Sequence, residues 1–236
     1  MALNLGIGLN KGGAPAKWKP SKIGSLVNWF KYNTKITVDA LETTKVVTWG
    51  DHHGGETLTT DSGYVLENKG DLDFDTGEGR MALDALWGDS YSQFSAYLVL
   101  KVSSVTGTIQ DEILGKDNSN FMQLRTSSIV RVKIGDTAAN NITLPGGAVT
   151  ADKWFVIGLE WEGDAISTNL KLYDDTAGYS SPTVDNDTDD FGGFASLGKR
   201  GSAFNGEIRE LVLFNSILSS DDREKLMTYL ISVRDE

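Results

Sequence analysis

Cysteine is absent from the 236 residues, which excludes disulfides and thiolate chemistry and sets the chain apart from disulfide-stapled secreted modules. Proline is scarce, with 4 residues, so Pro-rich linkers and polyproline segments are excluded as well. Only 2 histidines occur, and no Gly-x-Ser-x-Gly elbow, which leaves no basis for serine catalysis. No stretch approaches the roughly 20 consecutive apolar residues that span a bilayer. Residues 1–20 lack a positive charge ahead of their short apolar run, and glycines interrupt it, so they do not read as a signal peptide. Basic residues are sparse beyond position 38. Residues 1–38 carry six lysines and no acid, and the 16 basic residues that follow face 33 acidic ones, within an overall charge of −11. An acidic body of this kind repels phosphate backbones and anionic membranes, and neither is expected as a partner.

Glycine is plentiful, at 26 residues, and hydrophobic residues make up 39% of the chain, a composition that suits many short strands joined by tight turns. Strands are expected at Ser95 to Val102, Asp111 to Gly115 and Gly206 to Phe214. Hairpins pair Phe121–Thr126 with Ile129–Ile134 across Ser127-Ser128, and Lys153–Trp161 with Asn169–Tyr173. In the last strand Ile208, Glu210, Val212 and Phe214 alternate with Arg209, Leu211 and Leu213, which places the two sets on opposite faces. Ser219 precedes Asp222 by three residues, and Leu226, Met227, Leu230 and Val233 follow at helical spacing, so a capped helix begins after Ser219. The first 24 residues are rich in glycine and read as an arm. Within it Leu3, Leu5, Ile7 and Leu9 alternate with small or polar residues, the pattern of a strand seeking a sheet to join, in another copy or another protein.

Several segments carry a family resemblance. Leu26-Val27-Asn28-Trp29 resembles an "L-V-x-W" opening strand, and Trp49-Gly50-Asp51-His52-His53-Gly54 a "W-x-D-x-x-G" turn. Leu72-Asp73-Phe74-Asp75 is similar to an "L-x-F-D" strand. Gly206-Glu207-Ile208-Arg209-Glu210 followed by Leu218-Ser219 resembles the "G-x-I-x-E" strand and "x-L-S-x-x-E" helix start that close concanavalin A-like jelly rolls of the LamG and pentraxin type. The resemblance implies an all-β fold, a two-sheet antiparallel jelly-roll sandwich (concanavalin A-like) over residues 25–236, with residues 1–24 as an extended N-terminal arm and a short C-terminal helix. It is strongest to accessory domains of tailed-bacteriophage virion proteins.

Candidate site residues are few. His52 and His53 are adjacent, so their side chains diverge in an extended segment, and the segment reads as a turn. Glycosidases of this fold need two carboxylates on one strand face. The string Glu-x-Asp-x-x-Glu is absent, although Asp71, Asp73 and Asp75, or Glu160 and Glu162, share a face if extended. The resemblance implies calcium at a loop edge, for which Asp185, Asp187 and Asp189 supply hard oxygen ligands, with Asp117, Asn118 and Asn120 a weaker set. Of six tryptophans, Trp29, Trp49, Trp154 and Trp161 are expected in the core. Trp87, in a loop with Tyr91 close by, is the expected sugar-facing aromatic. Trp18 between Lys17 and Lys19, with Lys11 and the apolar positions Leu3, Leu5, Ile7 and Leu9, forms the expected partner-binding arm.

These readings converge on a non-enzymatic virion structural protein, made in the host cytoplasm and carried on the particle. Its arm would hold other virion proteins or copies of itself, and its sandwich would meet host-surface glycans. A free-standing carbohydrate-binding lectin and a glycan hydrolase are the alternatives.

Overall fold

The computed structural model describes residues 18–75, 78–89, 91–105, 111–135, 139–163, 170–176, 178–181, 191–198 and 201–236. Within them lie β1 (Leu26–Phe30), β2 (Ile36–Val38), β3 (Lys45–Gly50), β4 (Thr57–Ser62), β5 (Val65–Asn68), β6 (Asp71–Asp73), β7 (Arg80–Trp87), β8 (Gln93–Val102) and β9 (Asp111–Gly115). They continue with β10 (Phe121–Thr126), β11 (Ile129–Lys133), β12 (Asn140–Thr143), β13 (Trp154–Glu162), β14 (Leu170–Asp174), β15 (Tyr179–Ser180), β16 (Phe194–Leu197), β17 (Gly206–Phe214) and the helix α1 (Ser220–Arg234). Every pairing between these strands is antiparallel. One run of pairings joins β1, β17, β8, β13, β14 and β15, and another joins β3, β4, β7, β16, β9, β10, β11 and β12. β5 and β6 connect the two at a corner, so hydrogen bonding is continuous across all seventeen strands.

Strand alternation decides which residues meet. Along β8, Phe94, Ala96, Leu98 and Leu100 enter one apolar cluster with Leu58, Met81, Met122 and Leu124 of the second run of strands. Tyr97 and Val99 enter another, with Leu226, Leu230 and Val233 of α1. The result is a two-layered antiparallel β-sandwich whose main core lies between the two runs, with α1 lying on the outer face of β1, β17, β8 and β13. The Ser219 hydroxyl accepts the amide of Asp222 at 3.1 Å, the cap that the spacing predicts. The hairpin of β10 and β11 turns at Ser127-Ser128 as expected.

β17 departs from the alternation read in its sequence. Its register against β8 shifts between Ile208 and Glu210. A one-residue bulge of this kind turns every following side chain over relative to those before it. Ile208, Leu211 and Leu213 therefore share the inner cluster, whereas Val212 and Phe214 join the outer one. Arg209 and Glu210 both come to lie beneath the helix.

Candidate functional site

Three buried carboxylates gather where α1 covers the sheet, and each is closed by a different set of donors. Glu160 of β13, 0% exposed, accepts the Arg223 guanidinium through Nε at 2.9 Å and Nη2 at 2.7 Å, and the hydroxyls of Tyr97 at 2.7 Å and Tyr173 at 3.2 Å. Asp71 of β6 forms a two-pronged pair with Arg209 at 2.8 and 3.0 Å. The same guanidinium stacks on Trp154, 4.1 Å from the ring centre, and donates to the carbonyls of Val233 and Arg234 at the end of α1. Glu210 of β17 accepts Trp29 Nε1 and the Tyr229 hydroxyl, each at 2.6 Å, and the Tyr32 amide at 3.4 Å. Burial pushes the Glu210 carboxyl up to about 7, against the opposing pull of these hydrogen bonds.

The Glu210 cluster floors a cleft of about 390 Å³ between the β1–β2 turn, the residues before β1 and the C-terminal half of α1. Trp18, Tyr229 and Trp29 form a ladder of rings along it. Trp18 and Tyr229 lie 6.2 Å apart, centre to centre, and Tyr229 meets Trp29 edge-on at 5.9 Å. Lys31 Nζ stands 5.6 Å from the Trp29 ring centre. A concave, aromatic-lined space with a few polar groups at its margin has the shape of a small-molecule site.

The Trp29 strand is fixed from its other side by Asp51. That carboxylate, 1% exposed, accepts the amides of Trp29 at 2.8 Å, His53 at 2.8 Å and Gly54 at 2.6 Å, and the Asn28 side chain at 2.9 Å. A Cβ on Gly54 would sit 2.5 Å from the Val27 carbonyl oxygen, so the turn requires glycine there. His52 and His53 thus belong to a turn. His52 packs edge-on against Trp29 at 4.8 Å, and burial followed by Lys31, Lys35 and Lys19 lowers its pKa. Among the described residues no group of three or more metal-ligating side chains converges.

Other sequence expectations are redistributed. Trp87 is not in a loop: it ends β7 and is 4% exposed. Its ring stacks on Phe194 at 5.6 Å and meets Phe94 and Phe191 edge-on, and Tyr91 lies 6.2 Å away at the margin of that aromatic core. Packing demand outweighed the turn signal of Gly88, and Trp87 faces core rather than ligand. Trp18, expected to dock on a partner, is half-buried and packs against Tyr229 of α1, next to the exposed Lys19. Leu3, Leu5, Ile7, Leu9, Lys11 and Lys17 lie outside the described residues, as do Asp185, Asp187 and Asp189. Asp117 accepts the amides of Ser119 and Asn120 and shapes its own turn. Asp75 is exposed, and Asp73 accepts its amide at 2.8 Å. Sequence reasoning missed Glu210, Tyr229, Arg209 and Arg223. The available signal was the ionic pair Arg209-Glu210 inside an otherwise apolar strand.

No protein-family model and no curated protein matches the sequence. Solved structures do. The binding domain of botulinum neurotoxin DC in complex with rat synaptotagmin II superposes with a TM-score of 0.63 at 15% identity, over 87% of this chain and 52% of that one. The same toxin domain in complex with SialylT gives 0.63 at 14%, over 88% and 52%. Trypanosoma rangeli sialidase in complex with sialic acid gives 0.61 at 15%, over 89% and 34%. The chain thus spans about half of the toxin domains and a third of the sialidase. At these identities the likeness is one of fold, and the fold is a lectin-like β-sandwich.

Proposed function

We propose that the chain is a non-enzymatic virion structural protein, a concanavalin A-like jelly-roll sandwich displayed on a phage head or tail, held through its N-terminal arm and turned toward host-surface glycans. The observation that carries the non-catalytic reading is the closure of Asp71, Glu160 and Glu210 by cations, phenols and an indole beneath α1. Glycoside hydrolysis needs a pair of carboxyl groups free to reach opposite sides of one sugar bond. These three spend their oxygens holding the helix to the sheet.

Binding is supported by the aromatic cleft, and by fold neighbours whose names record complexes with synaptotagmin II, SialylT and sialic acid. Display is supported by the charge division and by the phage-type motifs. A lysine-bearing, acid-free leader next to a strongly acidic body suits attachment to an acidic neighbour, and its alternating Leu3, Leu5, Ile7 and Leu9 suit strand addition to a partner sheet. Pro20 and Ile23 are buried, and Trp18 packs on α1, so residues 1–17 are the part to remove. Deletion of residues 1–17 is expected to abolish incorporation into particles while the purified body keeps the wild-type unfolding midpoint. Incorporation at the wild-type level, read by quantifying the protein in purified virions, would overturn the arm as the tether, and absence of the full-length protein from virions would leave the free-standing lectin as the better reading.

A further inference from the structure

The cleft under Trp18 and Tyr229 carries charged groups of both signs at its rim, on a protein whose overall charge is −11. Lys19 and Lys31 stand against Glu236 at the rim, while Glu210 at the floor is raised to about 7 and so carries only part of a charge near neutrality. A strongly anionic or cationic ligand would gain from one pair of groups and lose to the other. What the lining does offer is ring surface and short polar groups. Trp18, Tyr32 and Tyr229 are each half-buried, while Asn33 and Ser232 are exposed on opposite sides of the cleft.

The rings are held in place before any ligand arrives. Glu210 is fully buried and reaches no ligand itself, but its carboxylate fixes the Trp29 indole and the Tyr229 hydroxyl from behind. Arg209 lies 4.9 Å from the centre of the Tyr32 ring and steadies it in turn. Rigid aromatic walls with adaptable polar groups at the rim suit a ligand that has one apolar face and an equator of hydroxyls.

We infer that this cleft is a subsite for an uncharged pyranose, which stacks on Trp18 and directs its hydroxyls to the β1–β2 turn and the end of α1, with Glu210 a positioning residue. The inference rests on the proposed function of the sandwich as a glycan-binding module and names its site and ligand class.

The test uses the full chain, a panel of neutral hexose oligosaccharides, and their sialylated and uronic-acid counterparts. Binding is read by calorimetry and by the shift of the tryptophan indole proton signals. Neutral members are expected to bind with an affinity insensitive to added salt, Trp18→Ala to weaken them about tenfold or more, and Glu210→Gln to weaken them less while altering the Trp29 indole signal. Trp18 packs at the edge of the outer apolar cluster, so its replacement is expected to lower the unfolding midpoint somewhat, and binding is compared at a temperature where both proteins are fully folded. Neutral glycans bound equally by wild type and Trp18→Ala would overturn the site while leaving the glycan-binding reading in place. Binding of the acidic members alone would overturn the ligand class. A synthetic peptide of residues 1–17 that saturates the same indole shifts would reassign the cleft to the arm. Failure of every glycan to bind the wild type would overturn both this inference and the glycan-binding reading.

Discussion

Replacing Glu160 by alanine is expected to destabilise the protein by about 3–5 kcal/mol, the usual consequence of removing one partner from a buried, hydrogen-bonded ion pair. The carboxylate is fully buried and closes four donors at once, so its loss strands the Arg223 guanidinium and the Tyr97 and Tyr173 hydroxyls between sheet and helix. Arg223 also donates to the Leu218 carbonyl ahead of α1, so the damage reaches the start of the helix. The control is Asp61, which pairs with Arg80 at the surface, the two side chains 32% and 38% exposed. Asp61→Ala is expected to cost about 1 kcal/mol or less, since water already competes for such pairs. Urea unfolding measures both, and hydrogen exchange of α1 amides locates the damage. Equal losses in the two variants would mean that Glu160 is not a fastening point. Removing the whole pair, with Glu160→Met and Arg223→Leu together, should recover most of the loss, because apolar replacement of both partners strands no charge.

The second large effect is a pH dependence from Glu210. Its carboxyl ionises at about 7 in the folded protein, against an ordinary value of 4.5. Above about 4.5 the unfolded chain has released this proton while the folded chain retains it, so the folded state binds more protons and stability falls as pH rises. The fall ends near pH 7, once both states are ionised, and amounts to about 3 kcal/mol across the window. Glu210→Gln keeps an acceptor for Trp29 and Tyr229 but cannot titrate. Relative to wild type it should therefore gain stability steadily from about pH 4.5 to 7 and hold that gain above. Asp111, whose buried carboxyl is raised to about 6, contributes a slope of the same sign to both proteins, and the difference between the two curves isolates Glu210. Parallel curves from urea titrations across this range would refute the assignment.

Much of the fold could be read in the chain because strand, turn and cap signals agree locally. Asp111–Gly115, Phe121–Thr126 and Gly206–Phe214 stand as strands with the expected bounds, and α1 begins behind Ser219. Three of the motifs behind the family resemblance, the opening strand, the glycine turn and the closing strand, meet in one physical cluster. Trp29 of the opening strand hydrogen-bonds Glu210 of the closing strand, 181 positions away, and Asp51 of the glycine turn pins the Trp29 backbone. They specify how the first and last strands seat against each other, which explains why they point to a fold more firmly than to a reaction.

The site was far less legible. A bulge leaves no mark in hydrophobic alternation, so alternation alone puts Arg209 and Glu210 on opposite faces, whereas the structure sets both under α1. Trp87 carried the loop signals of Gly88 and Asp89, yet its ring fills space that Phe94, Phe191 and Phe194 leave. The Trp18–Tyr229 contact joins residues with no periodic relation, and only the completed sandwich brings them together.

The buried acids fasten a helix onto a sandwich that is proposed to bind sugar without cleaving it. Incubating the intact protein with neutral glycans, and measuring retained ligand and newly formed reducing ends in the same sample, tests this most directly. Reversible retention that Trp18→Ala diminishes is expected, with no new reducing ends. Reducing ends that accumulate with time, and disappear when Glu160 or Glu210 is replaced by its amide, would contradict it.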